Sequence, residues 1–101
     1  MTVPDRTPGE ELSDLWAAFR TTADPEVRKA LILGYTPLVK FIATRVQARS
    51  PRALDSSNLF ANGVLGLVHA IDRFEPRRGF KFETYAIHCI KGWILEGERN
   101  A

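Results

Sequence analysis

The chain has 101 residues, which points to one domain, and 45% of them are hydrophobic, too many for a disordered chain. No apolar run approaches the roughly 18 residues that a bilayer crossing needs, and MTVPDRTPGEE reads as neither a secretory signal nor an Arg-rich transit peptide. The net charge of +2 hides a gradient: residues 1–26 hold two Arg against six acids, residues 27–54 hold six Lys or Arg and no acid, and the remainder balances six against six. The basic middle suits phosphate contacts or a solvated helix face, and charge alone does not choose between them. The single cysteine, Cys89, allows no internal disulfide and fits a reducing cytoplasm.

In chain order, residues 1–8 read as a flexible tail, and residues 9–101 as one helical domain. Leu12, Leu15, Trp16 and Phe19 follow one face of an amphipathic helix that ends near Thr22. Asp24-Pro25 starts the next helix, with Asp as the cap and Pro at the first helical position. Val27, Leu31 and Ile32 follow. Gly34 and Pro37 predict a break or kink, because Pro removes a backbone hydrogen bond and disfavours helical geometry at Thr36. Beyond it, Leu38, Val39, Ile42 and Val46 point inward and Lys40 and Arg45 outward.

Ser50-Pro51 opens a loop, and Asp55, Ser56 or Ser57 caps a further helix. That helix has the strongest periodicity: Phe60, Val64, Leu67, Ile71 and Phe74. Gly63 and Gly66 each cost roughly 1 kcal/mol in a helix interior, so a close packing contact is expected there. Leu59, Leu65 and Val68 lie beside the main stripe, which leaves two readings: a helix with a core side and a partner side, or a fully buried helix. Residues 75–79 form a turn. Phe80 and Phe82 enter the last helix, which runs from about Glu83 to Glu98 with Ile87, Ile90 and Ile94 on its buried face. The expected fold is all-α, a small helical bundle of four to five helices.

Catalysis finds little support. His88 and Cys89 are neighbours and point about 100° apart on a helix, and with His69 they lack metal-site spacing. No phosphate loop, H-E-x-x-H or G-x-S-x-G motif is present. The expectation is therefore no enzyme, no metal and no cofactor. In FEPRRGFKFETYAIHCIKGW, by contrast, Phe74, Phe80, Phe82, Tyr85 and Trp93 alternate with Arg77, Arg78, Lys81 and Lys91. Aromatic faces stack unpaired bases at about 1–3 kcal/mol per base, and cations hold the phosphates. The competing reading is core, which suits Phe74 and Phe82 best. One helical face does not account for Phe80, Tyr85 and Trp93 together.

The run Asn58-Leu59-Phe60-Ala61-Asn62-Gly63-Val64-Leu65-Gly66-Leu67 resembles the pattern D-L-x-Q-x-G-x-x-G-L. Ala70-Ile71, Phe74-Glu75-Pro76, Gly79-Phe80-Lys81-Phe82-Glu83-Thr84-Tyr85-Ala86 and Ile90-Lys91-Gly92 follow it in order. Together, over about residues 25 to 96, they resemble the second region of bacterial sigma factors of the sigma-70 family. F-E-T-Y-A and I-K-G are closest to the flagellar and sporulation-type subgroup.

The resemblance implies a transcription initiation factor domain acting in the cytoplasm. Its partners would be core RNA polymerase, through the clamp coiled coil of the largest subunit, and the non-template strand of the −10 promoter element. Carried over, the polymerase-binding positions are Asn58, Leu59, Ala61, Asn62, Val64 and Val68. The DNA-binding positions are Phe74, Glu75, Arg78, Phe80, Lys81, Phe82, Thr84, Tyr85, Lys91 and Trp93. Tyr85 would stack near a flipped adenine, Phe74, Glu75 and Arg78 would line its pocket, and Lys81 and Lys91 would hold phosphate. Asn58 and Ala61 depart from the pattern's Asp and Gln, a loss of two polar contacts of about 0.5–1.5 kcal/mol each. The family's promoter-reading extension and −35 domain are not expected within 101 residues. The alternative is an interaction module of the same fold that binds polymerase or an anti-sigma factor without melting DNA.

Overall fold

The computed structural model describes residues 8–49, 56–74 and 81–99. Among them there are four helices and no strand: α1 (Pro8–Thr22), α2 (Pro25–Arg49), α3 (Ser56–Arg73) and α4 (Phe82–Arg99). The expected all-α class holds for these residues. The expected tail up to residue 7, the Ser50-Pro51 loop, the Asp55 cap and the 75–79 turn lie outside them, as do the side chains of Leu12 and Ser56. The chain divides into two compact units, residues 1–34 and 35–101.

In the first unit, Trp16 and Leu31 are buried, and Phe19 packs edge-on to Trp16 at 6.2 Å between centroids. Ala23 ends α1 in the left-handed conformation, with φ at 52°, and its N–H donates to the Phe19 carbonyl at 2.8 Å. An L-residue there costs roughly 1–2 kcal/mol, which Gly avoids. Asp24 then caps α2 as its sequence position predicts. Its Oδ1 accepts from the Glu26 N–H at 2.9 Å, and its carbonyl accepts from the Arg28 N–H at 3.0 Å.

Of the break or kink expected at Pro37, the break does not occur, because α2 continues through it. Pro37 is exposed, so the missing hydrogen bond falls on the solvent side, while Tyr35, Val39, Ile42 and Ala43 on the opposite face are buried. Each large apolar side chain buried this way contributes about 1.5–3 kcal/mol, and together they offset the roughly 3 kcal/mol that Pro costs.

In the second unit α3 and α4 pack against each other. They come close at Gly66, where an added Cβ would lie 2.7 Å from the Cys89 carbonyl oxygen and 2.9 Å from the Ile90 Cα. At Gly63 it would meet Val39 Cγ1 at 2.7 Å and Ile94 Cδ1 at 3.2 Å. The glycines carry the close approach that their place in a helix suggested. They also rotate the core line away from the expected stripe. Leu59, Gly63, Gly66, Leu67, Ala70 and Ile71 are buried, whereas Phe60, Val64 and Phe74 are half-buried. Small residues define the contact line, and the larger ones flank it.

The buried face of α4 is Phe82, Ala86, Ile90 and Ile94. Ile87, expected on that face, is 39% exposed. It lies about 100° beyond Ala86, which takes the inward position because a small side chain fits there.

Two glycines in α3 and α4 should respond oppositely to substitution. Gly66→Ala meets backbone atoms, so overpacking outweighs helix propensity and lowers stability by about 1–2 kcal/mol. Gly92→Ala meets nothing within 4 Å and should gain roughly 0.5–1 kcal/mol. Thermal denaturation of both variants checks this: a raised Tm for Gly66→Ala would mean that the helices are not held this close.

Candidate functional site

An aromatic series runs from the core of the second unit to its surface. Tyr35 of α2 is buried and lies 4.7 Å from Phe82. Phe82 meets Phe74 edge-on at 5.2 Å, and Phe74 meets Tyr85 at 6.1 Å with an interplanar angle of 30°. Phe74 and Tyr85 are half-buried. Local folding fixes this order. Phe74 is the first residue past α3, and Phe82 opens α4, whose first turn closes through the Lys81 carbonyl. That carbonyl accepts from the Thr84 N–H at 3.2 Å and the Tyr85 N–H at 3.4 Å. The turn drives Phe82 inward and leaves Tyr85 at the rim.

The structure therefore brings Phe74, Phe82 and Tyr85 together, and it divides their roles. Phe82 is only 5% exposed, so its expected place as a DNA contact is corrected to support: its ring backs Phe74 and offers no free face. Lys81, Thr84 and Lys91 are exposed. Thr84 and Lys91 lie within about 20° of each other around α4, on its outward side. Trp93 stands apart. It is 40% exposed, its ring lies 6.0 Å from that of His69 on α3, and it projects about 160° away from Lys91. Glu75, Arg78 and Phe80 lie outside the described residues.

The positions expected to bind polymerase also divide. Asn58 and Ala61 are exposed, and Asn62, Val64 and Val68 are half-buried. Leu59 is fully buried in the core, so its expected contact is corrected to a packing role. Asn62 packs its amide over Gly97 of α4, where no Cβ intervenes. The centre of the outward face belongs to a residue absent from the expected set, Leu65, which is 51% exposed. The signal was present: Leu65 lies four residues after Ala61 and three before Val68, within about 60° of both around the helix.

Among the described residues no group of His, Cys, Asp and Glu is placed to hold a metal ion, and no helix is long and apolar enough to cross a membrane. His88 is exposed and Cys89 half-buried beside the Gly66 contact, on different sides of α4.

The described residues thus form a helical unit with a glycine-seamed helix pair, an outward helix face that carries Leu65, and an aromatic series that ends at Tyr85. Comparison with known families places it further: the sigma-70 region 2 pattern matches residues 31–100, and the chain belongs to that family. Among relatives it is 35% identical over 86 residues to the RNA polymerase sigma-D factor of Bacillus subtilis, covering 85% of this chain and 34% of the relative. It is 38% identical over 66 residues to the RNA polymerase sigma factor FliA of Salmonella typhimurium, covering 65% of this chain and 28% of the relative. It is 39% identical over 74 residues to the RNA polymerase sigma-F factor of Kitasatospora aureofaciens, covering 73% of this chain and 24% of the relative. The chain thus spans about a third or less of the length of these relatives.

The division between support and surface has a direct consequence. Phe82→Ala opens a cavity between Tyr35 and Phe74 and should cost about 3–5 kcal/mol of the stability of residues 35–101. Thr84→Ala and Lys91→Ala should stay within about 0.5 kcal/mol of the parent. Denaturant titration separates the two groups, and a stable Phe82→Ala variant would place that ring outside the core.

Proposed function

We propose that this chain acts as a transcription initiation module that docks on core RNA polymerase and captures the unpaired −10 non-template strand. The clamp coiled coil of the largest subunit would meet the outward face of α3, through Asn58, Ala61, Val64, Leu65 and Val68. The strand would lie across Phe74 and Tyr85, with Lys81, Thr84 and Lys91 on its phosphates and Glu75, Arg78 and Phe80 completing the pocket. The observation that carries this reading is the aromatic series from Tyr35 to Tyr85. Packed rings stand behind Tyr85, and Lys81 and Lys91 are exposed on the same unit, which supports the reading. Preorganised rings lose little freedom when a base stacks on them, so the few kcal/mol spent on unstacking that base is recovered. The setting is the cytoplasm, and the chain's part is recognition, with no catalytic step assigned to it.

The test uses a single-stranded −10 non-template oligonucleotide, with and without core polymerase. Tyr85→Ala should weaken binding by about fivefold to more than a hundredfold, the equivalent of one stacked base. Lys91→Ala should lower the salt slope by about 0.7, as expected for one phosphate contact to a single strand. Absence of binding in both settings removes the melting role and leaves the interaction module. Docking is read separately, by binding to a clamp fragment. Leu65→Asp should reduce that binding at least about tenfold while the fold persists, because the side chain faces solvent. Unchanged clamp binding would move the docking face elsewhere.

A further inference from the structure

We propose that the outward face of α2 beyond Pro37, a surface separate from the α3 face and the aromatic series, docks an acidic amphipathic helix of a partner protein. Phe41 is 57% exposed there, although the opposite face of the same helix is buried through Tyr35, Val39 and Ile42. Pro37, Phe41, Thr44 and Ala48 recur at i, i+4, i+7 and i+11, and all four are exposed. They form a straight stripe about 16 Å long, roughly three helical turns. Thr44 and Ala48 are small beside Phe41, so a partner helix can approach closely along the stripe.

Charge identifies the occupant. The Arg45 guanidinium lies 5.4 Å from the centroid of the Phe41 ring. A cation on a ring is held in a limited set of orientations, so its N–H fork is ready for a carboxylate. Lys40 flanks the stripe on the other side, Arg49 follows one turn later, and both are exposed. Residues 27–54 contain no acid to neutralise them. A partner helix with carboxylates beside an apolar ridge satisfies both the stripe and its rim.

An adjoining hollow supplies an anchor. A cavity of about 400 Å³ opens beside the stripe, lined by Lys40, Thr44 and Gln47 of α2 and by Leu59 and Phe60 of α3. It accepts an apolar side chain from the same helix, in the manner of a central binding hot spot. A nucleic acid would be drawn by the same cations. Arg45, however, already covers one face of the Phe41 ring, which leaves less of it for a stacked base, and the hollow's Leu59 and Phe60 suit an aliphatic side chain.

The experiment uses the 101-residue chain and a helix-forming peptide with leucines at i, i+4, i+7 and i+11 flanked by glutamates. Controls are the same peptide with lysines in place of the glutamates and a short single-stranded oligonucleotide. The acidic peptide should bind in the micromolar range and shift the NMR signals of Phe41, Arg45 and Phe60. Phe41→Ala and Arg45→Glu should each weaken it at least about tenfold, with helicity and Tm unchanged because both side chains face solvent. Arg45→Lys should fall between, retaining charge and losing the fork. Leu65→Asp should leave peptide binding intact, which separates this surface from clamp docking. Equal binding of the basic peptide, or unchanged affinity in the Phe41 and Arg45 variants, overturns the proposal. So does tighter binding of the oligonucleotide at these residues, or self-association of the chain that Phe41→Ala abolishes.

Discussion

The close approach of α3 and α4 at Gly66 is the constraint on which the second unit depends. A backbone carbonyl and a Cα of α4 occupy the space a Cβ would need, so the two helices share one narrow seam. That seam fixes the rotation of α4. With Ile90 pressed against Gly66, Phe82, Ala86 and Ile94 must also face inward, and Thr84 and Lys91 must face out. The surface chemistry of α4 is thus set by two hydrogens on a neighbouring helix. A glycine in a helix interior costs roughly 1 kcal/mol, and the cost is offset by the packing it allows.

The aromatic series uses the same seam for a second purpose. Tyr35 and Phe82 are core residues by burial, yet they hold Phe74 and through it Tyr85. Stability and presentation are therefore coupled along this line. Loss of an inner ring removes packing and also frees the outer ring to adopt other rotamers, with loss of preorganisation. Along α3's outward face the coupling is absent: Leu65 can change with little consequence for the core, because the residues that pack lie on the other side of the helix.

Much of this was legible in the residues. The Asp24-Pro25 start, the strong α3 periodicity and the glycines as a packing signal all correspond to observed features, because each rests on local geometry. The departures share a different cause. Pro37 forbids one hydrogen bond locally, but the burial that keeps α2 whole comes from residues distant in sequence. The core line of α3 was misread toward Phe60 and Val64, and that of α4 toward Ile87, because periodicity counts large apolar residues. The true lines run through Gly63, Gly66, Ala70 and Ala86, which bury little area themselves and permit others to approach. Leu65 belongs to the broad apolar set that suggests a partner side, but the family pattern points to other positions on it. The spacing that would place Phe82 on a binding surface also serves a core position, and only the rings around it decide.

Small residues in the seam also explain why so much apolar surface remains outside. A core assembled partly from Gly and Ala needs few large side chains, so Phe41, Leu65 and Leu95 are not required for packing and stand exposed. Each lies on a different helix and opposite that helix's buried face. Burying them against one another would require the helices to turn their core faces outward, so they remain available only to partners. In a small domain, where stability is limited, this arrangement has a clear consequence. Residues that hold the fold and residues that would bind are mostly different, so binding strength can be changed on one helix without loosening the other two. The exception is the line from Tyr35 to Tyr85, where the fold itself supports the ring to be used. A strand that must be gripped in one orientation calls for that rigidity, whereas a docking helix tolerates adjustment along a stripe.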